Sequence, residues 1–153
     1  MVILKSHKAF GSFLGRGTHV WLEIHPEEGE KITFSGAKAE LLLGVVENLK
    51  KDYHKLATRG SVVIPAPIGM SCAEWAERVI EAGREVKITM NKELRFSGAF
   101  PNLPGRGNCC TIASLIIARA GGEIPRFSPS GFAPGLHSRS LYGGEVMESA
   151  QAL

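Results

Sequence analysis

Cys109 and Cys110 stand side by side where a glycine-rich stretch, Gly105-Arg106-Gly107, gives way to the largely apolar Thr111–Ala118. Asn108 precedes them, and asparagine is a favoured helix N-cap, so Cys109 falls at the first position of a predicted helix. A thiol there lies near unpaired backbone N–H groups, which favour the thiolate, the form that attacks a carbonyl carbon. Such a nucleophile needs a base, commonly a histidine distant in sequence. His19 is the candidate, since it opens a strand directly after Gly15-Arg16-Gly17-Thr18, where strand meets loop. Residue type alone leaves two readings of Cys109 open, and packing as a small hydrophobe is ahead by a narrow margin because free cysteines are usually buried. Cys72 and Cys110 read as packing residues, His25, His54 and His137 as solvated surface, and Trp21 and Trp75 as core.

The elements that must position these side chains follow from periodicity. Thr18–His25 alternates strictly, with Val20, Leu22 and Ile24 on one face and His19, Trp21, Glu23 and His25 on the other, which predicts a strand. Pro26–Lys31 is a charged turn, and Ile32–Ser35 resumes the alternation as an antiparallel partner. Placing Ile24 opposite Ile32 sets Trp21 opposite Ser35. Ala37–Ala57 has apolar residues at helical spacing and predicts a helix ended by Arg59-Gly60. Ser61–Ile64 is a short strand. Ser71-Cys72-Ala73-Glu74 is a capping box that opens a helix running to Gly83. Val86–Met90 and Leu94–Phe96 read as strands, and Phe100–Gly107 as a loop. The Cys109 helix ends at Gly121-Gly122. The class is α+β, with a small mixed sheet.

At 153 residues, 44% hydrophobic and 22% charged, the chain is one soluble globular domain. The net charge of +3 is spread without a dense Lys/Arg cluster, so no nucleic-acid partner is expected. The longest apolar runs fall far short of the ~18–20 residues of a membrane span, so no membrane insertion is expected. The N-terminal stretch from Met1 to Phe10 lacks the continuous apolar segment of a secretory signal, which implies synthesis in the cytoplasm. Three cysteines without a CxxC pair, and no HExxH, predict neither a disulfide framework nor a metal or other cofactor.

Four stretches in order carry a resemblance. Gly17-Thr18-His19-Val20-Trp21-Leu22-Glu23, Pro65–Trp75, Asn108-Cys109-Cys110-Thr111 with its helix and Ala120-Gly121-Gly122, and Pro129–Gly135 together resemble the circularly permuted papain-like cysteine hydrolases. These are relatives of the NlpC/P60 amidases, and the likeness extends to their toxin-like bacterial members. It spans about residues 17–135, leaving 136–153 as a tail. It implies a permuted papain-like (NlpC/P60-like) domain with a small antiparallel or mixed sheet packed on helices. It further implies Cys109 as nucleophile, His19 as general base, and a third polar residue on the next strand, where Ser35 is preferred to Thr33. The implied substrate is an amide in a peptidoglycan stem peptide or a target protein, and the implied setting a secreted bacterial effector with a specialised export route and a cognate immunity protein. Two other readings stay open. One is a lipid acyl hydrolase or acyltransferase of the lecithin:retinol type, which should carry an apolar anchor. The other is a catalytically inactive papain-like binding module.

Overall fold

The computed structural model describes residues 1–9, 17–40, 42–89, 95–97, 106–126 and 136. Among the described residues seven strands are β1 (Val2–Lys8), β2 (Thr18–Ile24), β3 (Ile32–Ala39), β4 (Leu42–Glu47), β5 (Ser61–Ile64), β6 (Arg95–Phe96) and β7 (Arg106–Gly107). They form one curled, half-barrel sheet in the order β5-β1-β2-β3-β4-β6-β7, antiparallel throughout except for β6 and β7. Three helices among the described residues accompany it: α1 (Lys50–Tyr53), α2 (Cys72–Thr89) and α3 (Cys109–Arg119). The α+β class is as the periodicity predicted. Among the described residues no helix is long and apolar enough to cross a membrane.

Because side chains alternate across a strand, the sheet has two unlike faces. Val2, Leu4, Val20, Leu22, Ile24 and Phe34 form the first, buried in one apolar core with Trp75, Val79 and Ile80 of α2 and Ile112, Ile116 and Ile117 of α3. The second face carries His7, His19, Trp21, Glu23, Thr33 and Ser35. There β2 and β3 pair from Ile24–Ile32 to Trp21–Ser35, the register that the alternation predicted. Both tryptophans are fully buried, as expected.

Three expected segments are different. Residues 37–57 do not form a helix: β3 runs on to Ala39, β4 pairs back along it, and only Lys50–Tyr53 is helical. The run Leu41–Val46 suits either period, and sheet pairing decides in favour of strand because Leu43 reaches the core and the β-branched Val45 packs against it. Asn48 then turns the chain. It adopts φ 52°, its Oδ1 accepts the Thr33 N–H at 2.8 Å, and its own N–H donates to Thr33 O. Residues 86–89 are helix, not strand, since α2 continues past Gly83. Met90, Leu94 and residues 100–105 lie outside the described residues. Arg106–Gly107, expected in a loop, is strand β7. Strand β1, not anticipated from the sequence, lies between β2 and β5.

Gly83 therefore ends nothing; it is where α2 lies against the sheet. A Cβ there would come within 2.5 Å of the buried Phe34 ring. In an open helix, replacing glycine by alanine gains about 1 kcal/mol. Here Gly83→Ala is expected to reverse that sign and cost about 1–3 kcal/mol through overpacking. Thermal melting of the two proteins checks it, and an unchanged or raised midpoint would show that α2 is not held this close.

Candidate active site

The start of α3 is placed by a split in the sheet. Beyond Trp21–Ser35, β3 leaves β2 while remaining paired with β4. The first turn of α3 enters that split, and Gly36 on β3 faces the Cys109 backbone. Asn108 caps the helix as expected: its Oδ1 accepts the N–H groups of Cys110 at 2.9 Å and Thr111 at 3.2 Å, and Thr111 Oγ1 accepts the Asn108 N–H. The cap leaves the Cys109 N–H unengaged by Asn108.

The Cys109 sulfur sits against the strand left bare by the split. The Val20 N–H donates to Sγ at 3.4 Å, and Thr18 O lies 3.9 Å away. His19, between them in sequence, favours the thiolate at the same sulfur. Its Nε2–H donates to Asp52 Oδ2 at 2.9 Å, which leaves Nδ1 as the ring nitrogen available to the thiol. The Ser35 hydroxyl donates to that Asp52 oxygen at 2.5 Å. Asp52 belongs to α1, which the Asn48 turn lays across the second face of the sheet. Cys109 and His19 are thus brought together as predicted, by α3 and β2.

The acceptor that orients the imidazole is Asp52, which the sequence reading did not single out. The preferred Ser35 sits one bond further out, on the Asp52 carboxylate. Thr33 is opposite Glu23, further along the strands, and among the described residues its hydroxyl has no hydrogen-bond partner. A second missed residue is His7, whose Nε2 lies 3.6 Å from Asp52 Oδ1. The rings of His7, His19 and Trp21 lie 5.0 to 6.1 Å apart, so this face is one cluster.

The electrostatics favour an ion pair. Burial pushes the His19 imidazole down, but the Asp52 hydrogen bond and then Cys109 outweigh it and raise its pKa to about 9. The Cys110 thiol, donating toward Cys109, is the largest influence holding the Cys109 thiol well below the ordinary range; burial opposes it, and His19 and the Val20 N–H add to it. Asp52 is pushed up by burial but falls below the usual carboxylate value because of His19 first and Ser35 after it. A thiolate, an imidazolium and a carboxylate in line can hold a nucleophile ready and pass its proton on.

The other cysteines separate cleanly. Cys110 is wholly buried, as expected, whereas Cys72, expected to pack, is exposed at the first residue of α2. His54 is exposed, and His25 is partly exposed and bonded to Glu23. His137 and Pro129–Gly135 lie outside the described residues, as do Gly15 and Arg16. The Ser71–Glu74 capping box is formed, with both its hydrogen bonds in place. Compared with protein-family models, with curated proteins and with solved structures, the chain matches none.

Proposed function

We propose that the chain is a cysteine hydrolase of the permuted papain-like type, with Cys109 as nucleophile, His19 as base and acid, and Asp52 as the residue that orients and charges His19. The observation that carries this reading is the convergence of the three side chains from α3, β2 and α1, elements separated by up to 90 residues. The Cys109 thiolate attacks an amide carbonyl, and the carbonyl oxygen, gaining charge, accepts from the Cys109 N–H. His19 gives its Nδ1 proton to the departing amine. It then takes a proton from water, whose oxygen attacks the thioester and frees the acid. An amide in a peptidoglycan stem peptide or a target protein suits this chemistry, within an effector whose own cell carries an immunity protein.

Alkylation tests the reading without a substrate. The native protein is treated with iodoacetamide at pH 5, and each cysteine is followed by mass spectrometry. At that pH an ordinary thiol is only ~0.03% thiolate. A stabilised thiolate is intrinsically slower, so Cys109 is expected to react roughly 100-fold faster than the exposed Cys72, short of the full difference in ionisation. His19→Ala should bring it to or below the Cys72 rate, and the buried Cys110 should stay unmodified. A Cys109 no faster than Cys72, or indifferent to loss of His19, sinks the hydrolase reading and favours a binding module.

A further inference from the structure

The catalytic reading leaves His7 unused, and its surroundings are unusual. Its Nδ1 lies 2.7 Å from Lys8 O, and a carbonyl only accepts, so Nδ1 carries the proton and Nε2 a lone pair. That lone pair faces Asp52 Oδ1 at 3.6 Å. Among the described residues neither atom has a hydrogen-bond partner, and both side chains are more than nine-tenths buried. Two electron-rich atoms opposed in the interior call for a positive charge between them. The third donor is His19 Nε2: one ligand atom from each of His7, His19 and Asp52 lies within 4.8 Å of the others.

We propose that His7, His19 and Asp52 form a binding site for a zinc-like divalent transition-metal ion. Donors at ~2.0–2.1 Å from a tetrahedral zinc stand roughly 3.3 Å apart, so the 3.6 Å pair is already close to that spacing and the widest gap, at most 4.8 Å, must contract by up to about 1.5 Å. Two imidazoles with one carboxylate favour a zinc-type ion over magnesium or calcium. The Lys8 carbonyl orients His7 from behind as the partners of metal-bound histidines do, and Ser35 holds the Asp52 oxygen that the ion does not use. Trp21 is wholly buried beside both rings and supplies an apolar wall. The donors come from β1, β2 and α1, so no local spacing in the sequence announces them.

Binding displaces the Nε2 proton that His19 donates to Asp52, and that proton leaves to solvent. His19 on the metal can no longer act as the base that Asp52 supports, so the ion would inhibit the hydrolase. The site does not depend on that activity. A thiol beside an imidazole can itself take zinc, so the test is made in full-length Cys109→Ala, titrated with Zn²⁺ against a chromogenic chelator. One equivalent is expected, with affinity at least ~100-fold above that of Cys109→Ala/His7→Gln. Zinc should raise the melting temperature of the first and not the second. Cys109→Ala/Asp52→Asn gives the same comparison if the His7 variant does not fold. Uptake lost with Cys109 would place zinc on the thiol–imidazole pair, and uptake indifferent to His7 would place it elsewhere. Either result, or no stoichiometric uptake, overturns the proposal, while the hydrolase reading stands or falls on the alkylation of Cys109.

Discussion

Asp52→Ala is expected to slow alkylation of Cys109 at pH 5 by about 100-fold, and Asp52→Asn by about tenfold. The ranking follows from what each variant keeps. The asparagine variant retains an oxygen that accepts the His19 Nε2–H, so the ring stays oriented, but it loses the buried negative charge that holds the imidazolium. One pKa unit of such support is worth about 1.4 kcal/mol, a factor of ten. Alanine removes orientation as well, and it strands the Ser35 hydroxyl that now donates to Asp52. The sign with pH is set by His19. Its pKa is raised to about 9, so the imidazolium that supports the thiolate persists from acid pH up to that value. In wild type the alkylation rate should therefore vary little between pH 5 and 8, whereas in Asp52→Ala it should climb with pH as an ordinary thiol does. Melting curves for both variants separate a lost charge from a lost fold. Flat profiles in all three proteins would reduce Asp52 to a structural residue. If turnover of an amide is later measured, the loss there should be larger, since proton transfer by a positioned group is worth ~10²–10⁴-fold.

Half of this site was legible in the sequence. The Asn108 cap and the place of Cys109 at the helix start are local features, set by residues in immediate succession, and α3 begins as they predict. His19 was also within reach, because the Thr18–His25 alternation fixes its face and even its neighbour across the strands. Asp52 was not. It sits among Lys50, Lys51 and Lys55, in a stretch whose apolar spacing imitates a helix, and a helix there would have turned it to solvent. Its position comes from the Asn48 turn, a tertiary event: the asparagine adopts a left-handed conformation because Thr33, 15 residues away, supplies both hydrogen-bonding groups. His7 escaped for a similar reason. Strand β1 alternates imperfectly, since Ile3 interrupts the polar face, and its identity is established by pairing on both sides with β2 and β5. The Gly83 misreading shows the reverse case, in which a residue that commonly stops helices is present for a contact with Phe34 instead. Local chemistry marked Cys109, while the residues packed around its thiol were set by pairing between distant segments.

Gly36→Ala is the variant that should disturb the Cys109 thiol without altering any side chain of the proposed catalytic group. A Cβ at Gly36 would lie 2.7 Å from Cys109 Cα, 2.8 Å from Ile112 Cγ1 and 3.1 Å from Cys109 N. Two of these three atoms are helix backbone, so no side-chain rotation relieves the contact, and the start of α3 must move out of the split between β2 and β3. The cost expected is about 2–3 kcal/mol of stability, or a melting temperature lower by roughly 4–12 °C. More telling is the sulfur. It contacts Val20 N–H at 3.4 Å, and a shift of the helix start by a few tenths of an ångström lengthens this bond and the approach to His19 together. Alkylation of Cys109 at pH 5 should fall by about tenfold or more, since each pKa unit of lost thiolate support is a factor of ten. Gly44→Ala supplies the control on the neighbouring strand, where the added Cβ meets only Ala37 O at 3.8 Å. It should leave both readouts close to wild type. If Gly36→Ala melts early yet keeps a fast Cys109, the thiolate is held by its hydrogen bonds and tolerates movement of the helix. If stability and reactivity fall together while Gly44→Ala is silent, the close approach of α3 to β3 sets the position of the Cys109 sulfur.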